Sequence, residues 1–407
     1  MSREVIVFPV DNTAPLHGIR VLDASRILAG PYCGQLLAEL GADVIKLERP
    51  GAGDDTRSWG PPFSGALSAY FLSCNRNKRS LTLNISLPTG NELFHQLLDK
   101  SDVLIENFRT DSAEHMGLTP EALLGRHPHL IACSISGFGR TGPMRSVPGY
   151  DFAIQAMSGL MSITGPVAGP PYKVGVALTD ILTGLHAAVA ILACLHARKS
   201  SGHGYTVDLS LLDCAVASQV NLAQAYLSSG EVPPRLGNAH LQIVPYQLFA
   251  TADGYLVLNV GNDGQWQHFC EAAQARELAA DERYKTNVLR VKNRNELIPK
   301  VEALMSQHTT SQWQDRLGEK NVPHAVVLDY EQLFQHEQIA ARNMKVTVRD
   351  PAGQEIDLVG SPFHISGTTL PEAKLGPVLG VHTEEVLFDV LGIKGEKVEE
   401  LRKNGIV

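Results

Sequence analysis

The sequence predicts an α/β protein: a Rossmann-like open parallel sheet in a large domain, with a smaller α+β domain. Three observations carry that expectation. Strand and helix patterns alternate from residue 15 to about residue 200, the signature of parallel units joined by right-handed crossovers. After about residue 225 the composition shifts to Gly, Pro and Asn between short strands, as in "PPRLGNAHLQIVPYQLFATADGYLVLNVGNDGQ". The length of 407 residues exceeds what one hydrophobic core normally serves.

The elements follow in order. "GIRVLDAS" (18–25) reads as a buried strand. "AGPYCGQLLAELGA" (29–42) reads as a helix, with Pro31 near its first turn and Gly41 ending it. "DVIKLERP" (43–50) is a strand stopped by Pro50. "RSLTLNI", "DVLIENF" and "LIACSISGFG" read as further strands, and "PTGNELFHQLLDKS" as a helix. "ILTGLHAAVAILACL" is a buried helix with Asp180 at its mouth. In the second domain, "DGYLVLNVG" is half of a hairpin opened by Asp253 and Gly254, followed by helices in "RNELIPKVEALMSQH" and "TSQWQDRLGEK". The tail "TEEVLFDVLGIKGEKVEELRKNGIV" is helical and expected to return to the first domain. The domains are thus set at 1–220, completed by 345–407, and 221–344.

Composition narrows the function classes. The chain is 44% hydrophobic and 19% charged, with a formal net charge of −8. That balance argues against nucleic acid or an anionic membrane as the main partner. The six cysteines include no CxxC pair, so they read as buried free thiols of a reducing compartment. No run of eighteen apolar residues and no signal or transit pattern is read, so a cytoplasmic location is expected. Neither HExxH nor another metal-binding pair of histidines occurs, and no metal is expected.

Several stretches carry candidate chemistry. The loop "SRILAGP" follows the first strand, where open α/β sheets receive ligands. It lacks G-x-G-x-x-G, and no Walker A or G-x-S-x-G sequence occurs. Glu48 ends the second strand, where an NAD enzyme would hold a ribose, so an NAD-dependent oxidoreductase stands as an alternative. Two cationic loops, with Arg49, Arg57 and Trp59 in one and Arg76, Lys78 and Arg79 in the other, read either as a seat for phosphates or as a solvated rim. "SISGFGRTGP" supplies glycines and Arg140 after a strand. "VGNDG" (260–264) reads as a mobile flap or a hairpin tip. Asp180 reads first as a helix N-cap; a carboxylate held ionised at a helix N-terminus is also poised to attack.

A dozen such motifs in register resemble the class III CoA-transferases, a family that also contains α-methylacyl-CoA racemases. The likeness runs through "GIRVLDASRILAGPYCGQLLAELGADVIKLERPGAGDDTR", "NRNKRSLTLNI", "DVLIENF", "SISGFGRTGP", "PGYD", "SGLMSITG", "GVALTDILTG" and "LGVHTEEVL". Through "SCNRNKRS", "IVPYQLFATADGY" and "YKTNVLRVKNRNELI" it is strongest to the branch that uses succinate and hydroxymethylglutarate or glutarate. The resemblance implies transfer of CoA from an acyl-CoA, succinyl-CoA in that branch, to a carboxylic acid through aspartyl anhydride and aspartyl-CoA thioester intermediates. CoA is then a bound substrate, with no cofactor besides.

Carried over residue by residue, the resemblance makes Asp180 the nucleophile. It implies CoA contacts from Arg26, Ile27, Leu28, Ala29, Arg49, Leu83, Asn107, Phe108, His115, Met116, Ser136, Gly137, Phe138, Gly139 and Arg140. His115 stands where some members carry Arg, and Ser86 where some carry Lys, leaving Arg49, Arg76 and Arg140 to compensate. Substrate contacts are expected from Arg57, Trp59, Tyr150, His240, Gly261, Asn262 and Asp263, with Arg57 and His240 gripping the acceptor's distal carboxylate and "VGNDG" covering the site. In the racemase alternative a G-H-D motif supplies a catalytic His. Tyr150 holds that position here, and a phenol is a poor base at neutral pH. The family also implies a ring-shaped chain in an interlocked homodimer.

Overall fold

The computed structural model describes residues 13–407. Its main sheet has six strands: β1 (Arg20–Asp23), β2 (Asp43–Glu48), β3 (Arg79–Thr82), β4 (Val103–Glu106), β5 (Ile131–Ser136) and β6 (Tyr205–Ser210). Their spatial order is β3-β2-β1-β4-β5-β6, and every neighbouring pair is parallel. The expected strands stand where the sequence places them. The sixth, β6, was not foreseen; it alternates exposed with partly buried residues at the sheet edge and carries only a weak apolar signal.

Alternation along each strand builds two cores. Val21, Val44, Val103 and Ile131 face one side and pack with helix α1 (Ala29–Glu39) and with Ala187, Ala188, Ile191 and Leu195 of the long helix α2 (Leu178–Ser201). Leu22, Ile45, Leu104 and Ala132 face the other, against Leu93, Phe94, Leu97 and Leu98. The period of two in the side-chain directions fixes which residue serves which face. The C-terminal helices Thr383–Leu391 and Glu396–Lys403 close this second core through Val386, Leu387, Val398 and Leu401.

Helix α2 has the length and apolarity of a membrane span by composition alone. One face packs on α1 and the sheet, the expected burial holding for that face alone; Leu185 and Val189 are exposed on the other, and Asp180 lies in the first turn. Five of the six cysteines are buried and all are free.

The described chain divides into two compact units, residues up to 158 with 175–220 and 337–407, and residues 159–174 with 221–336. The second unit has its own core around Trp266, Phe269, Tyr284, Val301 and Trp313. Its sheet includes the expected hairpin, Tyr246–Ala250 with Tyr255–Asn259, and the helices Arg294–Met305 and Thr310–Glu319 follow as read.

Candidate active site

An open parallel sheet whose strand order reverses direction between β1 and β4 leaves a crevice beyond the carboxyl ends of those two strands. The loop after β1 (24–28) and the loop after β4 (107–109) lie at that crevice. A 210 Å³ cavity there is lined by Arg26, Ile27, Ala29, Asn107, Phe108, Arg109, Ser136, Gly137, Tyr150 and Asp180, among others. A second cavity, of 330 Å³, shares Arg26, Asn107, Phe108 and Arg109 with it and adds Arg49, Leu83 and Met116. A third, bounded by Ser86, Asn91, His115 and Met116, shares Ile85, Ser86, Ser112 and Met116 with the second. The three are neighbours in the first unit, sharing walls to form a segmented trough, with Asp180 lining the first and His115 the third.

Eleven of the fifteen residues expected to touch CoA line this trough; Leu28, Phe138, Gly139 and Arg140 do not. Leu28 instead caps α1, its carbonyl accepting from the Tyr32 amide at 2.7 Å. Arg109 was missed. It is exposed at the trough and shows no ion pair among the described residues. As the third residue after a buried strand it was marked by position rather than by any motif.

The capping role assigned to Asp180 is corrected. The N-cap of α2 is Ala177, and Asp180 sits in the first turn of the helix. The cap comes from Asp151, whose Oδ1 accepts from both the amide and the hydroxyl of Thr179 at 2.8 Å. The other oxygen of Asp151 accepts from Gln155 at 2.7 Å. Asp180 is thereby released from structural duty. It accepts a hydrogen bond from the Ala29 amide, so the N-terminal turns of α1 and α2 meet at its carboxylate.

The helix ends do not hold Asp180 fully ionised. Burial, followed by the charge on Asp151, raises its pKa to about 7 against the opposing Ala29 hydrogen bond. Desolvation disfavours the charged form and a nearby like charge adds to it. Removing that like charge should reverse part of the shift. Asp151→Asn retains the cap oxygen, and we expect the acid limb of the kcat/KM profile to move to lower pH; an unmoved limb would refute the coupling.

Tyr70 was also missed. Burial and then Asp180 push its phenol up to about 12, so it is a neutral hydroxyl beside the carboxylate. Trp59, partly exposed, meets it edge-on at 5.0 Å between ring centroids. Tyr150 is exposed at the cavity wall.

The phosphate seat read into the cationic loops needs correction. Arg57 grips Glu48 with both arms at 2.6 and 2.7 Å, donates to the Pro377 carbonyl and lies over Phe71. It is therefore a strut of the loop and not a free grip for an acceptor carboxylate. Arg76 is buried against Glu39, Lys78 is buried on Asp23 at 2.8 Å, and Arg79 binds Asp43 and Glu385. Arg140 is locked by Glu106 and by Ser134. Of the loop cations, Arg49 reaches the trough largely exposed; it and Arg26 share the partner Asp55, at 3.4 and 2.7 Å. Arg26, Arg49, Arg109 and Arg145, the last paired with Glu114 at 3.5 Å, are the exposed arginines lining these cavities and able to meet phosphates. Glu48 is spent as well, on Arg57, Ser80 and the Asp54 amide, so it offers no ribose contact.

The remaining expected contacts lie in the second unit. Residues 260–264 are not a hairpin tip: they lead from the strand Tyr255–Asn259 into the helix Asp263–Ala272. Asn262 caps that helix, the Gly261 amide donates to Gln265, and Asp263 binds the buried Arg290 at 2.8 Å. The His240 ring accepts from the Gln242 amide and packs on Tyr246. Among the described residues no cluster of three His, Cys, Asp or Glu side chains is arranged to hold a metal.

The model of CoA-transferase family III matches residues 16–383. A succinate–glutarate CoA-transferase of Agrobacterium fabrum is 43% identical over 387 residues, covering 92% of this chain and 96% of the relative. The succinyl-CoA:glutarate CoA-transferase of Mus musculus is 42% identical over 397 residues, covering 98% and 91%. The crystal structure of a CAIB/BAIF family protein from Brucella suis superposes with a TM-score of 0.81 at 41% identity, covering 93% of this chain and all of that one.

Proposed function

The chain belongs to CoA-transferase family III and is an enzyme of that class; from that premise we propose that it moves CoA from succinyl-CoA to a dicarboxylic acid such as glutarate, with Asp180 as the covalent relay. The observation that carries the proposal is Asp180 itself: a carboxylate excused from capping, lining a cavity at the crevice of the sheet and facing the Ala29 amide.

Exchange of CoA between two acids is close to thermoneutral, so the obstacle is kinetic, and a covalent route divides it into smaller steps. An Asp180 oxygen attacks the donor carbonyl; the C–S bond breaks and CoA leaves as thiolate. The thiolate attacks the aspartyl carbon of the mixed anhydride and releases the donor acid, leaving a β-aspartyl-CoA thioester. The acceptor carboxylate displaces the thiolate to give a second anhydride. The thiolate then attacks the acceptor carbonyl, forming the new acyl-CoA and restoring Asp180. The Ala29 amide is placed to donate to the oxyanions, a contact worth about 3 kcal/mol of barrier in comparable sites.

CoA as bound substrate is the sole cofactor in this reading, and no step calls for a metal. Arg26, Arg49, Arg109 and Arg145 would meet its phosphates along the trough. Acceptor choice falls to Trp59 and Tyr150. Exposed Leu185, Val189 and Val216 support a homodimer in which a second copy covers them. The acidic balance argues against a nucleic-acid or anionic-membrane partner, and the proposed enzyme is cytoplasmic.

The test is a screen of carboxylic acids with succinyl-CoA, followed by mass spectrometry. Glutarate or a close dicarboxylate should give its CoA ester. Hydroxylamine should then trap an adduct on the peptide containing residue 180. A racemase would instead exchange the α-proton of a branched acyl-CoA with deuterium in heavy water without any acceptor.

A further inference from the structure

The loop that carries the Ala29 amide is held in an unusual way. Each backbone polar group of residues 25–27 is bonded to a side chain. The Ser25 amide donates to Asp23 at 3.1 Å, and its carbonyl accepts from Lys46 at 3.1 Å. The Arg26 amide and carbonyl are both taken by Asn107, at 2.9 and 2.8 Å. The Ile27 amide donates to Asp54 at 3.3 Å, and its carbonyl faces the Cys74 thiol at 3.6 Å.

Ile27 itself has φ of 73°. A β-branched residue in the left-handed region is a true outlier, and such strain persists only where the surroundings impose it. The imposing groups are a fully buried ion pair, Lys46 Nζ with Asp54 Oδ2 at 2.9 Å. Burial opposes both charges, yet each sustains the other: Lys46 is held above its ordinary pKa and Asp54 below. A pair buried this deeply is weak ground for stability, since apolar residues of the same volume often do as well. Each member also bonds the loop, and Asp54 holds the neighbouring Thr56 as well. Lys46 holds the Ser25 carbonyl; Asp54 holds the Ile27 amide and the Thr56 amide and hydroxyl.

We propose that Lys46 and Asp54 are positioning residues for the transfer reaction: by fixing Ser25 and Ile27 they hold the strained turn that aims the Ala29 amide at the Asp180 carboxylate. The inference rests on Asp180 as the nucleophile. The pair touches no reacting atom; its effect reaches the chemistry through one backbone N–H.

The test uses Asp54→Asn, Ile27→Gly with Asp54→Asn, and the neutral pair Lys46→Gln with Asp54→Asn, which leaves no unpaired buried charge if the single variant does not fold. In Asp54→Asn and in the neutral pair, kcat at saturating succinyl-CoA should fall at least tenfold. The acid limb of kcat/KM should move up, because Asp180 loses a donor to its charged form while Asp151 and Tyr70 stay in place. Glycine occupies the left-handed region without being held there, so adding Ile27→Gly should restore kcat at least fivefold. An unmoved acid limb in a folded variant, or no rescue by glycine, overturns the proposal. Hydroxylamine trapping on wild-type enzyme, run alongside, separates failure of the nucleophile reading from failure of the positioning.

Discussion

Asp180→Asn should abolish turnover and stabilise the protein in the same stroke. Removal of a covalent nucleophile leaves only binding and orientation, so kcat should drop by at least about 10⁴-fold. The variant must be shown free of deamidation by mass, and Asp180→Ala serves as its control. The stability change follows from proton linkage. The Asp180 pKa is raised from 3.8 to about 7 on folding, so between those values the native state binds more protons than the unfolded chain. Stability is therefore lost as pH rises through that window, and the whole cost is present above about pH 7. Three units correspond to at most about 4 kcal/mol. Asn carries no charge to bury, so its Tm should exceed that of wild type by several degrees at pH 8. The two curves should converge near pH 4. A Tm difference independent of pH, or activity surviving in a verified Asn variant, contradicts this account.

That trade also explains what the sequence could and could not disclose. Strands such as "VLDA" and "DVIKLE" were legible because both faces of the sheet are covered, and their Val, Leu and Ile residues are apolar for a local reason. The mouth of α2 was not. A carboxylate in the first turn of a helix looks like a cap, and Asp180 loses that role only because Asp151, a residue 28 positions before Thr179, supplies it. The cationic loops misled for the same reason. Arg57, Arg76, Lys78 and Arg79 are charges on Gly- and Asn-rich loops, which reads as a solvated or ligand-binding rim. Their partners Glu48, Glu39, Asp23 and Asp43 lie on other elements, and only folding brings them together. Asp180, Arg26 and Asn107 were placed through the family motifs, whereas Tyr70 and Arg109 had no local pattern. Function here sits in pairings distant in sequence, which periodicity and spacing do not encode.

Gly184→Ala should cost activity although it improves the helix. Gly184 lies within α2, where alanine is favoured over glycine by about 1 kcal/mol in an exposed position. Here an added Cβ would stand 2.7 Å from the Ala29 carbonyl oxygen and 3.1 Å from the Tyr32 ring. The first is backbone and cannot rotate away, so α1 must shift on α2. Overpacking of this kind costs about 1–3 kcal/mol, which equals or outweighs the propensity gain. The displaced residue is Ala29 itself, whose amide faces Asp180 in the next turn of the approach between the two helices. Misplacement by some tenths of an ångström up to 1 Å at a reacting centre costs up to about 10²-fold. We expect kcat to fall between tenfold and a hundredfold, with Tm changed by no more than a few degrees and KM for succinyl-CoA little affected. Full activity in Gly184→Ala would mean that the contact between α1 and α2 does not set the geometry at Asp180, whatever the fate of the other substitutions.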